Sequence, residues 1–162
     1  MFQKILLAMD SSDSSQAALS FATGLALRSP AAVRVVHVNE YLAGGRGFTV
    51  ETQPEARQIV QQAIDQLRAT GVDSSGIITT TNYLKVAQAI IDAANEWKAD
   101  LIVLGSNRHQ GVRRILNKGL RERIIRTSEL PVMTAPPALK ITRIHEIEDL
   151  VPRSFDGSKL AS

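Results

Sequence analysis

Short runs of aliphatic and β-branched residues alternate with longer amphipathic stretches along this chain, and that alternation restricts its possible folds more than any other feature. The runs are KILLAM at 4–9, VRVVHVN at 33–39, IITTTNY at 77–83, LIVLG at 101–105 and PVMTA at 131–135. Each is short and rich in residues that suit a covered strand. The stretches between them have helical signals. SSDSSQAAL supplies N-cap candidates, Ser12 or Asp13, for a helix to about Arg28, where Ser29-Pro30 ends it. Pro54 suits the first turn of a second helix, with Ile59, Ala63, Ile64 and Leu67 on one face and Gly71 at its C-cap. KVAQAIIDAANEW at 85–97 and residues 112–127 predict two more. Strands separated by single helices pair in parallel, and right-handed crossovers then give an α/β fold: an open, doubly wound, five-stranded parallel sheet with helices on both faces. Such sheets bind ligands beyond the carboxyl ends of their strands. Asp10, Asn39 and Gly105-Ser106 all fall at those ends.

Bulk properties narrow the function. The 162 residues suffice for one domain with a full core, and no apolar run is long enough to span a bilayer. The chain has no cysteine, which excludes disulfides and thiolate metal sites and fits a cytoplasmic protein. A net charge of +3 gives little footing for nucleic acid, so nucleic acid and membrane are not expected partners. Residues 41–53, with Gly44, Gly45 and Gly47, predict a mobile loop. The segment 138–162 departs from the pattern. LVPRS at 150–154 resembles a thrombin-cleavage sequence and DGSKLAS resembles vector sequence, so this segment is read as an extension, in part of cloning origin, beyond a domain of residues 1–137.

The segment GSNRHQGVRRILNKGLRER at 105–123 joins the fourth strand to the fourth helix. A glycine-bearing loop there is a common phosphate cradle. This one is crowded with Arg108, His109, Arg113, Arg114, Lys118, Arg121 and Arg123, which serve equally as a solvated basic face. His37, inside an apolar strand, reads as a hydrogen-bonded core histidine, and Trp97 as a packing residue. Asp10, at a strand end, suits a ligand contact, a divalent ion or a cap on the first helix. There is no Gly-x-Ser-x-Gly elbow, His-Glu-x-x-His pair or Walker lysine motif, so no enzyme constellation emerges. Slow ATP hydrolysis would lack an identifiable base.

These pieces together resemble the universal stress protein family. KILLAMDSSDSSQAAL matches the family opening K-I-L-V-x-x-D-x-S-x-x-S-x-x-A-L, while VVHV, ADLIVLGS and PVMTA resemble its second, fourth and last strands. The resemblance covers residues 3–136. It implies a Rossmann-like sheet of strand order 3-2-1-4-5 and a homodimer that pairs its last strands, here Pro131 to Ala135. It also implies a site for ATP or another adenine nucleotide, with or without Mg²⁺. Asp10 falls on the family's acidic residue near the ribose and adenine, and Val38 on the residue whose backbone meets the adenine edge. Gly105, Ser106, Arg108, Lys118 and Gly119 fall along the phosphate loop.

That loop departs from the family pattern. Nucleotide-binding members carry G-x2-G-x9-G-S/T. Alignment puts Gly105 on the first glycine, Arg108 and Lys118 on the second and third, and Gly119 on the hydroxyl residue. The G-x-P common after the third strand is replaced by Leu84-Lys85-Val86. Glycine lets backbone amides approach a phosphate. Two readings follow. Arg108 and Lys118 replace those amides with charge-assisted bonds, and the chain is a stress-response regulator that binds an adenine nucleotide or related anion. Alternatively, the long cations fill the cradle, and the chain works through protein–protein contact with an unidentified partner.

Overall fold

A computed structural model describes residues 1–41, 49–106 and 119–136. The readings made for Arg108, His109, Arg113, Arg114, Lys118 and the segment 138–162 lie outside them.

The strands are β1 Lys4–Met9, β2 Ala32–Tyr41, β3 Ser74–Asn82, β4 Leu101–Leu104 and β5 Val132–Thr134. The helices are α1 Asp13–Arg28, α2 Gln53–Ala69, α3 Val86–Trp97 and α4 Leu120–Thr127. All neighbouring strands pair in parallel, in the order β3-β2-β1-β4-β5. The chain winds outward from β1 through β2 to β3, then crosses back to place β4 on the other side of β1. The crevice between β1 and β4 is therefore the switch point.

Two apolar layers flank the sheet. Ile5, Leu7, Val33, Val35 and Val103 meet α1 and α2. Leu6, Val36, Ile102 and Leu104 meet α3 and α4. The central strands β1 and β4 are buried on both faces, which is why KILLAM and LIVLG read as continuous rather than alternating apolar runs. At the amino edge of the sheet, the Asp100 carboxylate accepts from the amides of Gln3 and Lys4 at 2.7 and 3.1 Å, which ties β1 to β4. Trp97 packs there as expected, with the Arg34 guanidinium 4.7 Å and the Lys4 ammonium 5.5 Å from its ring centre.

Local signals set most boundaries. Ser12 caps α1, and its side chain accepts from the Ser15 amide. Thr52 and Glu55 form a reciprocal capping box on α2, with Pro54 in its first turn. The two bonds from Thr52, first the backbone amide and then the hydroxyl, hold the exposed Glu55 carboxyl below its usual range. Thr70 is the C-cap of α2, and Gly71 follows it at φ +84°. Several boundaries differ from the sequence reading. β2 runs on to Tyr41, which the sequence placed in the loop. β3 begins at Ser74, three residues before the apolar run, because the β2 register from Val33 onward draws Ser74 to Gly76 into the ladder. Tyr83 lies in a single 3₁₀ turn, Tyr83–Lys85, that Asn82 caps by accepting from the Lys85 amide. Residues 49–51, placed within a predicted mobile loop, fold back on β2: Thr49 bridges to Tyr41, and the Val50 amide donates to the Glu40 carbonyl at 2.8 Å. Residues 42–48 lie outside the described residues.

Candidate functional site

A cavity of about 310 Å³ opens at the carboxyl ends of β1, β2 and β4. One wall is apolar, made by Val36 and Val38 of β2, Val86 and Ile90 of α3, and Leu120 and Ile124 of α4. The other is polar: Asp10, Ser14 and Ser15 from the start of α1, with His37, Glu40 and Glu51 around the end of β2. Arg121 enters from the first turn of α4.

Asp10 is fixed by the serine cluster that follows it. Its Oδ1 accepts from the Ser12 amide at 3.0 Å, from the Ser12 hydroxyl, and from the Ser15 hydroxyl at 2.6 Å. Ser12 is also the N-cap of α1. The carboxylate therefore organises the turn into the helix and lines the cavity at once. Of the meanings open to Asp10 in the sequence, the structure shows the turn into α1, with Ser12 itself as the N-cap.

The glycine that ends β4 is required by packing. A Cβ on Gly105 would sit 2.6 Å from the Ser14 carbonyl oxygen and 2.9 Å from its hydroxyl. The close approach of β4 to the first turn of α1 is what shapes the crevice. The next residue, Ser106, has a buried hydroxyl that finds no hydrogen-bond partner among the described residues. A buried hydroxyl without a partner loses its hydration and is a candidate for a ligand contact. Gly119 takes φ +96° as the N-cap of α4, a conformation costly for any side chain, and no side chain caps that helix.

His37 is buried, as the apolar strand around it predicted. Its Nδ1 lies 2.9 Å from the Met9 carbonyl oxygen and its Nε2 2.6 Å from Glu51 Oε2. Fully buried Asn39 grips the backbone of Glu51 at both ends: its amide donates to the Glu51 carbonyl at 2.8 Å and its oxygen accepts from the Glu51 amide at 3.2 Å.

Of the residues singled out in the sequence, Asp10, Val38 and Gly105 line this one cavity. Ser106 follows Gly105, and Gly119 directly precedes the lining residues Leu120 and Arg121. Arg108 and Lys118 lie outside the described residues. Sequence reasoning passed over Glu51 and left Arg121 as one base among many. The capping box T-Q-P-E at 52–55 was a legible signal that the chain is anchored one residue after Glu51. Nothing local showed that Glu51 would fold back onto β2.

Comparison with known proteins agrees with this geometry. The model of the universal stress protein family matches residues 1–136. A universal stress protein of Methanocaldococcus jannaschii is 29% identical over 139 residues, covering 82% of this chain and 81% of that protein. Among solved structures, a universal stress protein family member from Burkholderia pseudomallei superposes with a TM-score of 0.65 at 26% identity, covering 84% of this chain and 96% of that one. The universal stress protein from Archaeoglobus fulgidus in complex with dAMP superposes with a TM-score of 0.63 at 25% identity, over 83% and 98% of the two chains. With a parallel sheet of order 3-2-1-4-5, a cavity at its switch point and a family match that spans every described element, this chain belongs to the universal stress protein family.

Proposed function

We propose that the cavity binds an adenine nucleotide, and that the chain is a ligand-responsive regulator in a stress response. The observation that carries this reading is the pairing of an apolar slot with a rigidly held carboxylate, Asp10, in one cavity at the sheet's switch point. Its volume of about 310 Å³ lies at the lower end of the roughly 300–1,000 Å³ usual for small-molecule sites. That suits a nucleoside whose phosphates leave the enclosed part. The slot between Val38 and α3 fits a flat base, and the carboxylate of Asp10 fits donors such as ribose hydroxyls.

The lining carries the acidic Asp10, Glu40 and Glu51 and, among the described residues, one arginine, Arg121. Phosphates are repelled by the carboxylates and drawn to Arg121, with the buried Ser106 hydroxyl a further contact. Arg108 and Lys118 fall in the same loop by alignment. The dAMP complex of the Archaeoglobus fulgidus relative supports an adenine nucleotide as the ligand class.

The same reading makes the protein a homodimer through β5, an edge strand whose Met133 is exposed. The function is tested by denaturing the purified protein and measuring the mass and 260 nm absorbance of what is released. Thermal melts with added AMP, ADP and ATP, with and without Mg²⁺, complete the test. A nucleotide at a hundred times its Kd stabilises the fold by about 2.7 kcal/mol. No released nucleotide and no melting shift with any of the three would favour the protein-contact reading instead.

A further inference from the structure

Beyond β2 the chain returns on itself. Thr49 forms an antiparallel bridge to Tyr41, and the Val50 amide donates to the Glu40 carbonyl at 2.8 Å. That register sets Val50 opposite Glu40, and Glu51 opposite Asn39. Residues directly opposite in an antiparallel pair share a face, as do alternate residues along one strand. Val50 is thereby on the face of Glu40 and Val38, and all three line the cavity. Asn39 belongs to the other face, is fully buried and is not a lining residue.

A single exposed valine is ordinary on a protein surface. The hold on this one is not. Val50 is 38% exposed, on a cavity whose apolar wall is made by Val38, Val86 and Ile90 among others. A slip of one residue in a strand pair turns every side chain to the opposite face. Here Asn39 opposes such a slip. Its amide donates to the Glu51 carbonyl at 2.8 Å and its oxygen accepts from the Glu51 amide at 3.2 Å. Two bonds to the backbone of one residue select a position along the chain whatever side chain stands there. A slip would strand both ends of a buried amide, which is costly. On the far side, residue 52 opens α2 with its capping box, so the return is tied there as well.

We infer that Val50 covers the base of the bound nucleotide, and that Asn39 is a positioning residue that keeps Val50 on the cavity face by fixing the register of residues 49–51. The inference rests on the proposed function and names the part of the ligand that meets this rim. A valine side chain offers no hydrogen bond, so it adds cover to an apolar surface. Of the parts of a nucleotide, only the flat base presents one; the ribose hydroxyls suit Asp10 and the phosphates suit Arg121. Adenosine and AMP therefore gain equally from Val50.

The test uses the full chain freed of nucleotide, at one fixed pH. Calorimetry with adenosine and with AMP is run on wild type, Val50→Ala, Asn39→Ala and the double variant. Val50→Ala should weaken both ligands alike, by roughly three- to tenfold, the scale of losing one or two partly buried methyl groups. Asn39→Ala should weaken both to a similar extent, and adding Val50→Ala to it should cost less than about twofold more, as for residues that act through one another. In the wild-type complex, nuclear Overhauser contacts should join the Val50 methyls to the adenine ring protons, and Asn39→Ala should lose them. Without ligand, exchange of the Val50 amide should quicken about tenfold or more in Asn39→Ala, the scale of the hydrogen bonds removed. Melts establish that each variant folds. Where Asn39→Ala does not, Asn39→Asp replaces it, keeping the shape but losing the donor to the Glu51 carbonyl. Adenosine that binds with no contact to the Val50 methyls, or equally well to Val50→Ala, overturns the role of Val50 and leaves the proposed function standing. A folded Asn39 variant whose Val50 amide is as protected as in wild type, or in which Val50→Ala keeps its full effect, overturns the positioning role. A wild type that binds neither adenosine nor AMP overturns the proposed function and the base contact together, while the Val50 amide still decides the role of Asn39.

Discussion

The Ser15 hydroxyl donates to Asp10 Oδ1 at 2.6 Å and accepts from the Asp10 amide at 2.9 Å, so one buried side chain closes a ring on a single residue five positions before it. This ring, with Ser12, sets the angle at which β1 turns into α1. It also aims the carboxylate that lines the cavity.

Two substitutions separate those roles. Asp10→Ala removes both, so the melt should show a loss of about 1–2 kcal/mol for the turn. Calorimetry should show a further loss of about 1–3 kcal/mol in nucleotide affinity, the scale of a hydrogen bond to a charge. Ser15→Ala keeps the carboxylate and should lower stability with a smaller effect on affinity. Equal affinity losses in the two variants would mean that Asp10 acts through the turn alone.

Gly105→Ala tests the crevice. The new methyl meets the Ser14 carbonyl oxygen at 2.6 Å, and backbone yields less readily than a side-chain tip. Stability should fall by about 1–3 kcal/mol, as for overpacked cores, with the start of α1 displaced. A melt unchanged from wild type would show that the β4–α1 approach is looser than described.

Arg121→Ala tests the division of charge. If the phosphates lie toward α4, ATP affinity should drop by about 1 kcal/mol, the scale of a partly exposed charge-assisted contact. Added salt should weaken wild-type binding, since exposed charges are screened over about 8–10 Å. A larger loss for adenosine than for ATP would place the nucleotide the other way round.

The edge strand makes a prediction about assembly. Light scattering should give twice the chain mass. Met133→Lys should shift the protein toward monomer by placing like charges close together across the two-fold axis. A wild-type monomer at high micromolar concentration would remove β5 as an interface.

Much of this architecture was legible because its causes are local or periodic. The doubly covered strands KILLAM and LIVLG, the Ser12 cap and Pro54 each declared an element, and alternation dictated a parallel sheet. Placing Asp10 and Gly105 at the crevice needed only that topology. Other features depended on contacts distant along the chain. The early start of β3 follows from its register with β2, and the polar residues Ser74 and Ser75 have no strand signature of their own. Glu51 meets His37 only because the chain reverses after Tyr41 and is clamped by Asn39. Arg121 was one of many bases in its segment, and the folded α4 distinguishes it as the one lining the cavity among the described residues.

The central claim is that an adenine nucleotide occupies the cavity lined by Asp10 and Gly105. Isothermal titration of AMP and ATP into nucleotide-free protein at low salt, alongside Asp10→Ala shown to be folded, tests it most directly. The account predicts saturable binding at a single site per chain, weakened in the variant by about 1–3 kcal/mol. Heat from neither nucleotide at concentrations that saturate ordinary sites, or binding that Asp10→Ala leaves untouched, would contradict it.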